Sequence, residues 1–317
     1  MGTVYLVWGS TYYAIAEMVR TLPPLLAAGF RYVVAGLLML AFLVARDRWQ
    51  RSRGADRGRW LRRPSGAEWR TAAIVGLLLL LGGNGGVVLG ELRIPSGVAA
   101  VTIATVPIWM NVADGILVGR GPGRLATGGL LVGLVGVGIL LYPSGGTDSL
   151  DPVGVALVVG ASLSWAAGSL IARRGPLPKN QLLGSGMEML AGGLGLGVVG
   201  LLMGEAGQTD PSRFSTSSLL AVVYLVAIGS LLAFSAYTWL LSHVPISTVS
   251  TYAYVNPIVA VALGAVLLGE QITPRMLVAA MLILGAVVAM VTGRPRLAEE
   301  PGPMPEAATL EPPPELG

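Results

Sequence analysis

Cysteine is absent from the 317 residues, histidine and lysine occur once each, and only 12% of the chain is charged. The first absence removes disulfides, thiolate metal ligands and cysteine nucleophiles. The second leaves His243 without a partner for a His-Glu-x-x-His zinc pair, and Gly-x-Ser-x-Gly and paired mid-span aspartates are missing as well. No metal, no cofactor and no catalytic residue is therefore expected, and an intramembrane enzyme is a weak alternative. The scarcity of charge excludes a soluble globule, in which about a quarter of residues are charged. With 53% hydrophobic residues and a mean hydropathy of +0.70, most of the chain is built for lipid.

A membrane-crossing helix needs about 20 mostly apolar residues. Windows of that kind fall at 3–19, 25–45, 71–90, 97–118, 126–142, 153–172, 183–203, 217–240, 246–268 and 275–293. Each is continuously apolar, whereas a barrel strand would be about 10 residues of alternating character. The fold class expected is an all-α polytopic membrane protein with ten transmembrane helices. The first window starts almost at Met1 with no flanking charge, and no basic segment or small-residue cleavage site marks a signal peptide. Residues 294–317, rich in Pro and Glu, read as a disordered cytoplasmic tail.

Basic residues orient the spans, because cytoplasmic loops carry the excess of Arg and Lys. Nine arginines lie between the second and third windows, from Arg46 to Arg70. Loops on that side and the tail hold 16 basic residues, against four (Arg20, Arg93, Arg213 and Arg275) on the other. Both termini are expected in the cytoplasm of a bacterium-like cell, with the chain in its inner membrane. The clusters report topology and contact with lipid headgroups, and no nucleic-acid partner is expected.

The halves of the chain resemble each other. An offset of 157 carries Trp8 to Trp165, Leu25-Leu26 to Leu182-Leu183, Gly29 to Gly186, Arg31 to Glu188 and Gly36 to Gly193. An offset of 150 carries Pro95 to Pro245, Val106-Pro107-Ile108 to Asn256-Pro257-Ile258, and Gly119 to Gly269. The repeat is thus five spans, giving units at 1–146 and 147–293. An odd number of spans forces the second unit to enter from the opposite side, the inverted-repeat architecture of many alternating-access carriers.

Trp8-Gly9-Ser10-Thr11-Tyr12, Pro23-Pro24-Leu25, Gly29-Phe30-Arg31, Gly83-Asn84-Gly85 and Pro95-Ser96-Gly97 resemble the EamA-type permeases of the drug/metabolite transporter (DMT) superfamily, close to their YedA-like branch. So do Ser164-Trp165, Glu188-Met189-Leu190, the string Ser250-Thr251-Tyr252-Ala253-Tyr254-Val255-Asn256-Pro257, and Gly269-Glu270. The resemblance runs from about Trp8 to Gly293. It implies a ten-helix inverted-repeat fold, a central cavity, and export of metabolites or drugs driven by exchange or by protons.

Candidate site residues are polar or aromatic groups inside the windows. Pro107 and Pro257 remove helix hydrogen bonds and are expected to act as kinks or hinges. Near them Thr102, Thr105 and Trp109 in one half, and Tyr252, Tyr254 and Asn256 in the other, are expected to line the substrate cavity. Trp8 and Trp165, with Thr11, Tyr12 and Ser169, and Asn84 in its glycine-rich stretch complete that set. The plainer reading for hydroxyls and amides is bonding between helices, and for Trp an interfacial anchor. Arg31 and Glu188 are intramembrane charges, costing about 2.5 to 3.5 kcal/mol each at mid-helix. The repeat axis would set them towards opposite faces, which disfavours a direct pair. Glu91, like Glu17, sits nearer a span end and reads as solvated; Glu91 or Glu188 would carry the proton if protons are coupled. The function expected is a secondary transporter, a monomer or dimer in the bilayer, exporting a small molecule. The alternatives are a channel-like facilitator and, further off, an enzyme or a sensor.

Overall fold

The computed structural model describes residues 1–53, 62–117, 124–141, 150–244, 249 and 252–292, and of Tyr254 the backbone alone. The proline-rich tail expected at 294–317 and the Tyr254 side chain therefore lie outside the described residues. All regular structure among the described residues is helical: α1 (Gly2–Met18), α2 (Pro24–Ser52), α3 (Gly66–Glu91), α4 (Ser96–Ile103), α5 (Val106–Leu117), α6 (Arg124–Leu141), α7 (Pro152–Arg174), α8 (Gln181–Leu202), α9 (Thr216–His243), α10 (Tyr252–Leu263) and α11 (Pro274–Thr292). Helices occupy each of the ten apolar windows. Five of them, in α2, α3, α7, α8 and α9, are long and apolar enough to cross a membrane.

Helix starts are set by local chemistry. Ser65 and Glu68 form a reciprocal capping box at α3, with Ser65 N donating to Glu68 Oε2 at 2.6 Å and Glu68 N to Ser65 Oγ at 3.2 Å. Arg62 donates to the other oxygen of Glu68 at 2.6 Å. These bonds, led by the Ser65 amide, hold the Glu68 carboxyl below its ordinary range. Asp151 caps α7 through Val153 N at 2.8 Å, with Pro152 in the first turn where its missing N–H costs nothing.

One correction concerns the prolines. The fourth window is not one helix kinked in its interior: α4 ends at Ile103, and α5 starts at Val106. Pro107 is the second residue of α5, where no helical N–H is needed, so the break at Ala104 and Thr105 does what a kink was expected to do. Pro257 does lie inside α10.

Wide π-helical turns interrupt α3 at Leu77–Gly85 and α9 at Leu225–Phe234, at positions about 150 residues apart. Such turns are frequent at functional sites.

The packing of α2 on α8 repeats a pattern already in the sequence. A β-carbon at Gly29 would stand 2.8 Å from the Gly193 carbonyl oxygen, and one at Gly36 2.9 Å from that of Gly186. Rising numbers on α2 meet falling numbers on α8, so the two helices are antiparallel. Gly29 and Gly186 are repeat equivalents, as are Gly36 and Gly193. Each contact therefore exchanges partners with the other, as a two-fold relation demands. The pair α6 and α11 does the same: a β-carbon at Gly133 meets Ala286, and one at Gly136 meets Ile283, with 150 residues relating the equivalents. Glycine is needed at Gly29 and Gly193 because the two backbones touch.

The apolar core has two main clusters. One joins α1, α4, α7, α10 and α11 with the end of α9; the other joins α2, α3 and α8 with α1 and the first part of α9. Trp165 packs against both.

One end of the bundle is tied by carboxylates from the second half. Glu205 accepts from the amides of Leu25 (3.0 Å) and Leu26 (2.8 Å) at the start of α2. Glu270 accepts from Ser96 (2.8 Å) and Gly97 (3.1 Å) at the start of α4. A carboxylate suits a helix N-terminus, where free N–H groups and the helix dipole converge. At the same end Arg93 pairs with Asp151 at 2.8 Å. This is the arginine-poor end of the bundle.

Candidate functional site: a central aromatic cavity

The two clusters leave between them a narrow cavity of about 60 Å³. From α1 come Trp8, Thr11, Tyr12 and Ile15, spaced i, i+3, i+4 and i+7, so one helix face supplies that wall. The π-helical turns contribute Gly83 and Asn84 on α3 and Gly229 and Phe234 on α9, with Val87 a turn beyond. Arg31 and Tyr32 come from α2, Ile103 from α4, Trp165 from α7, and Tyr252 and Asn256 from α10.

Four rings form the cavity's aromatic wall and its backing. Trp8 meets Trp165 edge to face at 5.4 Å and Tyr252 edge to face at 5.2 Å. Tyr237 lies behind them, 4.7 Å from Trp8, 5.6 Å from Trp165 and 5.9 Å from Tyr252. Its hydroxyl accepts from Trp165 Nε1 at 3.0 Å and bonds Ser169 Oγ at 2.7 Å. Neighbours thus fix the Trp165 plane and leave its face to the cavity.

Arg31 is 2% exposed. Its Nη2 donates to Asn84 Oδ1 at 3.1 Å and to the Tyr32 hydroxyl, and its guanidinium carbon lies 4.2 Å over the Tyr32 ring. With its amide turned so that nitrogen donates, Asn256 bonds the carbonyls of Tyr5 (2.9 Å) and Tyr252 (3.3 Å), which leaves its oxygen as an acceptor. This ties α10 to α1 beside Pro257.

The structure thus brings together Trp8, Thr11, Tyr12, Asn84, Trp165, Tyr252 and Asn256 of the expected set, and adds Arg31. It keeps four others out. Thr102 Oγ1 donates to the Val98 carbonyl at 2.9 Å. Thr105 and Trp109 close a local network on Ser162, at 3.1 and 2.9 Å. Ser169 is spent on Tyr237 and the Trp165 carbonyl. For these residues the plainer reading, bonding between and within helices, describes what they do.

Glu188 lies elsewhere. With Ser185, Thr238, Arg173 and Lys179 it lines a separate cleft of about 230 Å³ between α7, α8 and α9. It forms no ion pair with Arg31 among the described residues. Glu17 pairs with Arg20 at 2.9 Å. Glu91 corrects the reading of a solvated span end: both of its carboxylate oxygens are buried with no hydrogen-bond partner among the described residues. Sequence reasoning passed over Tyr32, Phe234 and Tyr237; a phenol in the middle of an apolar window was the available signal for Tyr237.

Apolar helices long enough to cross a membrane, with an aromatic cavity between two related halves, define a helical membrane protein. The chain belongs to the EamA-like transporter family, whose profile matches residues 3–142 and again 152–292. It is a membrane transporter in which the family unit occurs twice. An inner membrane transporter of Escherichia coli K12 named YedA, itself called uncharacterized, is 39% identical over 92% of this chain and 89% of its own. A protein of Salmonella typhimurium described as a probable amino-acid metabolite efflux pump is 23% identical over 92% of this chain and 93% of its own. A crystal structure at 20% identity matches the fold with a TM-score of 0.62 over 91% of this chain and 93% of that one.

Proposed function

We propose that the protein is a secondary transporter of the inner membrane, with ten spans in two oppositely threaded five-helix halves, that exports a small metabolite by alternating access. The observation that carries this reading is the exchange of partners between Gly29·Gly193 and Gly36·Gly186 on antiparallel helices. A two-fold axis relating antiparallel, membrane-crossing helices lies in the membrane plane, and rocking one half on the other about it would turn the cavity from one side to the other. The basic-residue imbalance supports placing both termini in the cytoplasm. The efflux description of the Salmonella relative supports export.

The cavity is the substrate chamber, with Trp8, Trp165 and Tyr252 as its stacking wall and Asn84 and Asn256 as its amides. The Glu205 and Glu270 caps are the latches of the arginine-poor, external face, closed in this conformation. The break before Pro107 and the proline in α10 are the points about which the halves flex. If protons drive the cycle, buried Glu91 is their carrier at the external end. A proteoliposome flux screen over a metabolite panel, with and without a pH gradient, tests the reading. Saturable uptake with counterflow, impaired by Asn256→Ala, is the expected result. Flux that neither saturates nor shows counterflow would make the protein a channel.

A further inference from the structure

Arg31 holds an unfilled demand inside the cavity. A guanidinium carries five N–H groups and keeps its charge in proteins. The two on Nη2 face Tyr32 and Asn84. The three on Nε and Nη1 are buried with no hydrogen-bond partner among the described residues. Burying such donors unpaired is costly, which is why buried charges are paired. Among the described residues Arg31 is also the one charged side chain in the cavity wall. No ion pair joins it to Glu91 among the described residues. Across the space stand Trp8, Trp165 and Tyr252, whose rings offer an apolar surface rather than acceptors.

Resting on the transporter reading of this cavity, we infer that the substrate class is organic anions, with a carboxylate or similar group taken by Arg31. The apolar body lies against the Trp8, Trp165 and Tyr252 wall. Arg31 is then the specificity-determining residue, and Asn84 positions it.

Calorimetric titration of the full chain in nanodiscs with phenylacetate, phenylacetamide and phenethylamine tests this at neutral pH. These probes share a ring and differ in charge. Phenylacetate is expected to bind about tenfold or more tightly than phenylacetamide, a difference of about 1.4 kcal/mol, with phenethylamine the weakest. Arg31→Gln abolishes the preference, and Arg31→Lys retains part of it. Thermal unfolding of each variant separates loss of recognition from loss of fold, and the comparison of the three probes on the unaltered chain needs no variant. Equal binding of phenylacetate and phenylacetamide, or a preference that survives in a folded Arg31→Gln protein, overturns the inference. Counterflow of neutral or cationic solutes with no advantage for anions would also sink it while leaving the transporter standing. A tight, Arg31-dependent phenylacetate site without saturable flux would instead sink the transporter reading.

Discussion

Trp8 and Trp165, equivalents in the two halves and 157 residues apart, meet edge to face at the centre of the molecule with ring planes at 89°. Equivalent residues touch when they lie on the relating axis, so this contact marks where the halves share the chamber. The quadrupoles of the two rings favour the arrangement by about 0.5 to 1.5 kcal/mol beyond the area they bury.

Trp165→Ala removes a ring packed against both core clusters and is expected to cost about 3 to 5 kcal/mol, with loss of transport. Trp165→Phe keeps the ring face but loses the bond to Tyr237. Its stability is expected to fall by about 0.5 to 1.5 kcal/mol, with flux reduced rather than abolished. Thermal unfolding and proteoliposome flux measured on both variants check this, and unimpaired flux in Trp165→Ala would remove the stacking wall from the mechanism.

Gly29→Val and Gly193→Val should be equally harmful, since each drives side-chain carbon into the same backbone crossing. A loss of about 1 to 3 kcal/mol is expected for either, as for overpacking in a core. Gly197, where a β-carbon meets nothing within 4 Å, should accept alanine at little cost. Thermal midpoints of the three proteins decide the point.

Glu205→Gln and Glu270→Gln weaken the caps on α2 and α4. Each should cost about 0.5 to 2 kcal/mol and open the arginine-poor face. With a reporter cysteine from Thr11→Cys, impermeant maleimide added from that face should react faster in either cap variant. An unchanged rate in both would show that the caps hold the helix ends without gating the chamber.

Acid should act first at exposed pairs. The Arg93 hydrogen bond, and after it the amide of Val153, hold the Asp151 carboxyl below its ordinary range. A carboxyl lowered by folding contributes fully above its unfolded value of about 3.9 and loses that contribution as the pH falls through its folded value. Stability should therefore decline in acid between those two values, and in Arg93→Gln the decline should be smaller and end at a higher pH. Thermal midpoints measured from neutral pH downwards give both curves, and superimposable curves would contradict the assignment.

Much of the fold was legible because lipid demands long apolar helices and the repeat leaves fixed offsets. The helix-bearing windows and the equivalence of Gly29 with Gly186 and of Trp8 with Trp165 follow from those two facts, whereas the contacts these residues make came from the packing. The break at Ala104 and Thr105 was not legible, because a proline shows only that a bond is missing and not whether it opens a helix or bends one. In the cavity, aromatic residues on one face of α1 could be found by spacing. Thr105, Trp109 and Ser169 could not be sorted from cavity residues, since a hydroxyl satisfied by Ser162 or Tyr237 and one facing a solute look alike in sequence. Glu91 misled for the opposite reason: its nearness to the span end suggested water, and tertiary packing removed it.

The opposite threading of the halves is open to one direct measurement, which the absence of cysteine makes clean. Ser52 follows the core of α2 and Ser212 follows its equivalent α8, and both are exposed. Ser52→Cys and Ser212→Cys, introduced singly, can be labelled with an impermeant maleimide in right-side-out and inverted vesicles. Labelling of Ser212→Cys only in right-side-out and of Ser52→Cys only in inverted vesicles is the predicted result. Both cysteines reacting from the same side would contradict the inverted repeat and the alternating-access cycle built on it.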